Sequence, residues 1–430
     1  VIIGNGITGI TAAITIRRLS PDHQITVISS ESEHFYSRTA LMYLYMGHMQ
    51  YRHIKPYEEW FWRENNIALK LACVTQIDFE AQKVILQEQP PLPYDKLLIA
   101  TGSLPRQPNV PGQDLTGVQG FYSLQDLQQL EQNTRQISRA VLVGGGLIGI
   151  ELAEMLYTRC IPVTFLVRES RYWQSVLPAE ESHMIENHIR EHGIDLRLQT
   201  TLAEISGEDA SGRVNGVVTT TNENIPCQLV GLAIGVTPNV DFLRNTVLEI
   251  NRGVVVNNYL QTNIPNVYAA GDCAEINDTD AANPKVEQLW YTGRMQGETV
   301  AHTICGPQKE YRRGIWFNSA KFFDIEYQTY GQVPAILPTG ADTVFWQHPG
   351  GKKAIRINFD SVTNSVLGFN VLGIRYHHEV CERWLKEERT IDYVLKHLKE
   401  VNFNPEFHRR HEKEILKSVN SRSLVSSASG

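Results

Sequence analysis

A chain of 430 residues is long enough for roughly two to four domains and a large buried core. Its composition, 42% hydrophobic and 20% charged with a net charge of −7, is that of an ordinary globular protein and argues against a nucleic-acid-binding surface, which needs clustered Lys and Arg. No apolar run approaches the ~20 residues that span a bilayer.

No signal-peptide pattern opens the chain, and its start inside a strand without an initiator Met predicts a few further residues ahead of Val1. The first element is the apolar run Val1-Ile2-Ile3, which meets Gly4-Asn5-Gly6-Ile7-Thr8-Gly9 and then a helix-forming stretch through Arg18 that Pro21 ends. Ile25-Thr26-Val27-Ile28 reads as the second strand of a βαβ unit. An aromatic and methionine-rich stretch, Ala40 to Met49, is predicted helical, followed by Tyr57 to Trp62 and alternating runs such as Lys83-Val84-Ile85-Leu86. The apolar strand Leu97-Leu98-Ile99-Ala100 stops at Thr101-Gly102. Pro105, Pro108, Pro111 and Gly112 then mark a linker and a domain boundary.

The opening pattern recurs at Val141-Leu142-Val143-Gly144-Gly145-Gly146-Leu147-Ile148-Gly149, and each copy keeps an alanine four residues after its last glycine, Ala13 and Ala153. In such a turn the first glycine permits the tight bend and the second lets the backbone approach a pyrophosphate. The third allows close packing of helix on strand, and the helix N-terminus offers free N–H groups to phosphate. Two such sites imply two bound dinucleotides, and electron transfer between them is the economical reason for holding both.

Beyond the second copy, a helix over Ile150–Arg159 leads through Pro162 to the strand Val163–Val167. A polar helix, Glu180 to His192, and short strands follow, ending at Leu229–Gly235; Pro238-Asn239 marks a crossing back. Val267-Tyr268-Ala269-Ala270-Gly271-Asp272 is again a strand meeting a glycine turn. From about Tyr311 the pattern changes to strands and then an amphipathic helix around Trp384 to Lys396, a separate α+β domain. The serine-rich tail from Ser418 lacks periodicity and is expected to be disordered. The six cysteines, Cys73, Cys160, Cys227, Cys273, Cys305 and Cys381, form no metal-type or redox pair spacing and fit a reducing, cytoplasmic compartment.

Five motifs in order carry a family resemblance: Gly4 to Gly9, Ala100 to Arg106, Gly144 to Glu151, Ala233-Ile234-Gly235-Val236-Thr237-Pro238-Asn239, and Ala269-Ala270-Gly271-Asp272. The chain resembles the flavin-dependent pyridine nucleotide-disulfide oxidoreductases over residues 1 to about 310, and Lys321-Phe322-Phe323-Asp324-Ile325 is similar to the start of their interface domain. The resemblance implies an α/β fold with two Rossmann-like domains and a C-terminal α+β domain. FAD binding is expected from 1–113 and 239–310, NAD(P) binding from 114–238, and the α+β domain from 311–417, with 418–430 as tail.

By the same resemblance Gly4, Gly6 and Gly9 hold FAD, while Gly144, Gly146 and Gly149 hold NADH or NADPH. Asp272 hydrogen-bonds the ribityl or pyrophosphate part of FAD, Thr101 and Gly102 let a strand end pass near the flavin, and Gly235 belongs to a cofactor-binding motif. Glu151 aligns with a glutamate close to flavin and nicotinamide. An acid after the second strand normally binds a ribose hydroxyl; Glu31 is the candidate in the first unit. In the second unit the place falls on Val167, with no acid, and Arg168 and Arg171 could pair with a 2′-phosphate. Gly149, by contrast, is common in NADH-using relatives. The balance leans to NADPH.

The departures from the family narrow the chemistry. His34 to Leu41, where thiol-dependent members keep a reactive cysteine, contains none, so disulfide-reductase and thiol-peroxidase activities are disfavoured. A His-Pro-Thr-type base motif is absent too, and His408-Arg409-Arg410-His411 reads as a solvated helix face. Tyr36-Ser37-Arg38 instead resembles the Tyr-x-Arg-Pro run of rubredoxin, ferredoxin and nitrite-reductase-type reductases, which places Arg38 on FAD. Thr39 replaces the proline, and Tyr43 stands where some relatives place a lysine near flavin N5. Trp290 has the spacing of a tryptophan beside the isoalloxazine. The expected function is a flavoprotein reductase passing a hydride from NAD(P)H to FAD and electrons to an external acceptor, first a small rubredoxin- or ferredoxin-like protein. The competing readings are a peripheral quinone reductase, with Trp384-Leu385 and Tyr393-Val394-Leu395 on a membrane, and a nucleotide-sensing binding module. Relatives with such an interface domain include monomers and homodimers.

Overall fold

In the computed structural model, residues 1–208, 212–277, 285–403 and 409–418 are described, and the tail expected to be disordered lies, apart from Ser418, outside them. Two compact units emerge: Val1–Pro108 with Gln119–Gln136 and Ile234–Arg313, and Asn109–Val118 with Ile137–Ala233 and Gly314–Gly430.

Short strands build the first unit, and two of the inner ones, Leu97–Ile99 and Ile2–Ile3, are wholly apolar, as a sheet covered on both faces requires. Five parallel strands run in the order Val267–Ala269, Leu97–Ile99, Ile2–Ile3, Ile25–Ser29 and Ile67–Leu71. The register sets Ile2 against Val27 on one side and Leu98 on the other. Helix Ile7–Leu19 follows the first strand and buries Ile10, Ala12, Ala13 and Ile16. Helix Trp290–Cys305 crosses it closely because Gly293 and Gly297 carry no side chain; a Cβ at Gly297 would lie 2.5 Å from the Thr8 carbonyl oxygen.

The second unit repeats this plan with different residues. Asp195–Arg197, Val163–Leu166, Ala140–Val143 and Leu229–Leu232 form its parallel sheet, and helix Leu147–Thr158 follows the central strand. The duplication extends to single hydrogen bonds. Gly4 N–H donates to the Ile28 carbonyl (2.7 Å) as Gly144 N–H donates to that of Leu166 (2.9 Å). An antiparallel sheet, Phe317–Phe322, Ile325–Gly331, Val366–Leu372, Ala354–Asp360 and Ala341–Gln347 in that order, belongs to the same unit. Its core gathers Phe369, Trp384 and Val394, all fully buried.

Four local expectations are corrected. Ala40 to Met49 holds only a 3₁₀ turn at Arg38–Ala40 and helix Leu41–Tyr45, which Gly47 ends at φ +77°. Trp384 to Lys396 is two helices, His378–Lys386 and Ile391–His397, because Glu388 takes φ +50° and Thr390 caps the second through the Tyr393 N–H. His411 is buried rather than solvated; it pairs with Glu414 (3.1 Å) and packs beside Trp346, and His408 lies outside the described residues. Helix Leu124–Asn133 belongs to the first unit, not to 114–238. A Ser123/Asp126 capping box starts it, and its Leu124 N–H donates to Glu31 (3.0 Å).

Candidate functional site

Each glycine turn divides its three glycines by what surrounds them. At Gly4, φ is +111° and a Cβ would sit 2.0 Å from the Ala100 carbonyl oxygen; at Gly9 it would sit 2.0 Å from that of Gly4. These two are required by the fold. A Cβ at Gly6 meets nothing within 4 Å, so this position faces open space at the start of the helix. The helix has no side-chain cap, which leaves its first N–H groups available to an anion. Buried Asn5 pins the loop by donating Nδ2 to the Ser32 carbonyl (2.8 Å).

Glu31 and Arg38 come together in a closed knot. Arg38 Nη2 donates to Glu31 Oε2 at 2.6 Å and Nη1 to Oε1 at 3.0 Å, while the Tyr36 hydroxyl and the Leu124 N–H also donate to Oε1. Nη1 further reaches the Tyr122 carbonyl (2.6 Å), and the guanidinium lies over the Tyr122 ring at 4.4 Å. Burial pushes the Glu31 carboxyl up, but the Arg38 hydrogen bonds and charge outweigh it and hold the group below its ordinary value. The carboxylate thus organises Arg38, with little acceptor capacity left for a ribose.

A second network surrounds the glycine turn after Val267–Ala269. Ser103 Oγ donates to Asp272 Oδ2 (3.0 Å) and accepts from Gln288 Nε2 (2.8 Å). Burial raises the Asp272 carboxyl, and the Ser103 hydrogen bond opposes the rise. Gln296 Oε1 accepts from the Gly271 N–H (2.7 Å) and its Nε2 donates to Glu287 (3.3 Å), which also takes the Tyr311 hydroxyl (2.6 Å). Thr101 Oγ1 donates to the Asn239 carbonyl (2.7 Å), and Gly102 sits at φ +69° beneath the Tyr122 hydroxyl. Trp290 is the first residue of its helix, half-buried, with the Arg294 guanidinium 6.0 Å from its ring. Gly235, at φ +104°, accepts the Arg106 N–H at 3.0 Å. Ser103 lies within the Ala100 to Arg106 motif without a role assigned to it there, and no local pattern marks Tyr122 or Gln288; only folding gathers the three around Asp272.

The second cradle has the same division of labour. A Cβ at Gly149 would lie 2.5 Å from the Gly144 carbonyl oxygen and 2.7 Å from the Phe165 ring, whereas at Gly146 it meets nothing within 4 Å. Helix Leu147–Thr158 is again without a side-chain cap. Fully buried Tyr172 fixes the turn by donating its hydroxyl to the Gly146 carbonyl (3.0 Å). Glu151 follows in this helix, its carboxyl pushed up to about 7 by burial first and by the Glu154 charge second, with Lys321 opposing. Lys321 Nζ lies 2.6 Å from Glu154 Oε1. Val167 is buried and fills the space beside Gly145. The two arginines differ: exposed Arg168 pairs with Glu169 (2.8 Å), while Arg171 has a buried Nη1 with no hydrogen-bond partner.

Both glycine turns therefore fit a dinucleotide: space where the middle glycine faces out and helix N–H groups with no side-chain cap. The sequence family described as "Pyridine nucleotide-disulphide oxidoreductase" matches residues 1–297. Nitrite reductase [NAD(P)H] from Bacillus subtilis (strain 168) is 30% identical over 371 residues, covering 85% of this chain and 45% of that protein. A ferredoxin--NAD(P)(+) reductase from Sphingomonas sp is 31% identical over 350 residues, covering 80% of this chain and 82% of that one. The chain spans about half the length of the Bacillus subtilis relatives it matches, at 45% and 46%. A solved ferredoxin reductase from Rhodopseudomonas palustris superposes with a TM-score of 0.78 at 24% identity, covering 86% of this chain and 90% of that one, and so shares the fold. The chain belongs to the pyridine nucleotide-disulphide oxidoreductase family, flavin enzymes that bind FAD and use NAD(P)H as electron donor.

Proposed function

We propose that the protein takes a hydride from NAD(P)H onto FAD and delivers the electrons to an external acceptor, a small redox protein of the rubredoxin or ferredoxin kind. Bound FAD would supply the redox chemistry, as a two-electron carrier that can also pass electrons on singly. The chain's own residues bind and orient. Gly4, Gly6 and Gly9 cradle the FAD pyrophosphate, with Asp272 and Arg38 as its polar contacts, and Thr101, Gly102 and Gly235 shape the path of the backbone. Trp290 shields the flavin from solvent. Gly144, Gly146 and Gly149 cradle NAD(P)H, and Glu151 holds a proton near neutral pH in that pocket. Relatives named ferredoxin and rubredoxin reductases support the external acceptor.

One observation carries this reading: two open glycine turns occur in a chain whose 34–41 segment, where thiol-dependent relatives keep a reactive cysteine, has none. The electrons then pass to an acceptor outside the chain. The scattered cysteine spacing suits a reducing compartment, and we place the protein in the cytoplasm. We assign 2′-phosphate recognition chiefly to Arg171, whose buried Nη1 lacks a partner, and only secondarily to Arg168, which is paired with Glu169. The quinone-reductase reading loses its main feature, because Trp384, Leu385, Val394 and Leu395 are packed in the core of their own unit. Among the described residues, no helix is long and apolar enough to cross a membrane. The test is anaerobic stopped-flow reduction by NADPH and NADH, followed by mixing with rubredoxin or a [2Fe–2S] ferredoxin. Rapid reoxidation by one of these proteins is expected; reoxidation by a quinone alone would overturn the assignment.

A further inference from the structure

Helix Ala179–Glu191 carries His188 and, at its C-cap, His192, four residues apart and therefore on one face. Beside them lies the tight turn joining Phe317–Phe322 to Ile325–Gly331, where Phe323 takes φ +54° and is followed by Asp324. His188 Nε2 lies 2.5 Å from Asp324 Oδ1, and His192 Nε2 lies 3.9 Å from the same oxygen. One potential ligand atom from each residue falls within a group no wider than 4.8 Å. His192 Nδ1 donates to the His188 carbonyl (2.8 Å), so its Nε2 bears the lone pair, an arrangement common behind metal-bound imidazoles. The Phe323 ring, stacked at 4.1 Å, fixes the plane of the imidazole.

His188 is the buried member of the group. Its side chain is 1% exposed, its Nε2 faces Asp324, and its Nδ1 has no hydrogen-bond partner, with Glu191 Oε2 3.6 Å away. A tetrahedral cation with bonds of about 2.0–2.2 Å needs its ligand atoms roughly 3.4 Å apart. His188 and Asp324 would separate by about 1 Å and His192 would close by about half that, small movements for an exposed turn. Two imidazoles and one carboxylate suit zinc, nickel or copper better than magnesium or calcium. Lys352 Nζ, 3.6 Å from Asp324 Oδ2, is a competing cation on a half-exposed side chain. The cluster of His348, His411 and Glu414 is a poorer candidate, since His411 Nε2 already meets Lys353 Nζ at 3.1 Å.

We propose that His188, His192 and Asp324 form a binding site for a divalent transition-metal cation, best fitted by zinc, that clips the hairpin turn to helix Ala179–Glu191. The flavin-loaded full chain, treated with chelator and desalted, is titrated with zinc chloride by calorimetry, and with Co²⁺ by visible absorption. One saturable site per chain below about 100 μM is expected, with affinity falling tenfold or more in both His192→Ala and Asp324→Ala and rising in Lys352→Met. Asp324→Ala lies on an exposed turn and serves if His192→Ala fails to fold. Absence of saturable binding, or a loss of less than tenfold in the folded ligand variants, overturns the proposal.

Discussion

Adding one methyl group at Gly4 or at Gly6 should have opposite consequences, although both belong to the same turn. At Gly4 the new Cβ would lie 2.0 Å from the Ala100 carbonyl oxygen, well inside the ~3.5 Å of ordinary van der Waals contact. Both groups are backbone, so no rotamer change relieves the overlap, and φ +111° adds strain of about 1–3 kcal/mol. Gly4→Ala should therefore lose about 4 kcal/mol or more of stability, an exceptional value for one methyl group. At Gly6 the backbone, φ −70° and ψ −177°, is open to alanine, and the Cβ meets nothing within 4 Å. Gly6→Ala should leave the flavin-free protein as stable as the parent, or up to about 1 kcal/mol more stable. Its methyl group would stand where the pyrophosphate approaches, weakening FAD at least tenfold, about 1.4 kcal/mol. Urea unfolding of the flavin-free protein and quenching of FAD fluorescence measure the two effects separately. Unchanged FAD affinity in Gly6→Ala would refute the division of roles.

Three further outcomes are expected. The folded pKa of Glu151, about 7, lies above its ordinary 4.5, so the stability tied to its extra proton is present below pH 4.5 and lost as pH rises through 7. Glu151→Gln should thus gain about 3 kcal/mol on the parent between pH 4 and pH 8 in thermal unfolding, and parallel pH profiles would contradict this. Arg356 donates to buried Glu181 (2.8 Å) and to Glu180 (2.8 Å), so Arg356→Met should cost about 3–5 kcal/mol, part of it recovered by adding Glu181→Gln, which removes the stranded charge and keeps an acceptor for buried Asn370. A double variant as unstable as the single one would show that packing, not charge, dominates there. Arg171→Ala should lower kcat/KM for NADPH ten- to hundredfold, about 1.5–3 kcal/mol, and leave NADH unaffected. An equal loss with both nucleotides would remove the 2′-phosphate assignment.

Much of this architecture was legible because its information is local. A strand that must turn at once into a helix needs glycine at fixed offsets, as at Gly4 and Gly144, and Gly102, Gly235 and Gly271 adopt positive φ where a strand ends and the chain turns into another. The apolar runs before Gly4, Gly102, Gly144 and Gly235 become inner strands because parallel sheets bury both faces, while Val267–Ala269 before Gly271 forms a sheet edge. Information carried by distant partners was not legible. Glu31 reads as a ribose ligand in sequence, and nothing local shows that its carboxylate also accepts from the Leu124 N–H, 93 residues away. His411 sits in a run of charge, yet packing against Trp346 buries it. The break at Glu388 interrupts a continuous amphipathic period that alone predicts one helix. Ser123 with Asp126 did offer a local start signal for helix Leu124–Asn133, of the Ser-x-x-acid form.

Electron counting tests the absence of a sulfur relay most directly. Anaerobic titration of the flavin-loaded protein with NADPH, or with dithionite, should take up two electrons per FAD and bleach the flavin completely. Uptake of four electrons, with flavin bleaching delayed until the second pair, would reveal a redox-active disulfide and contradict the account.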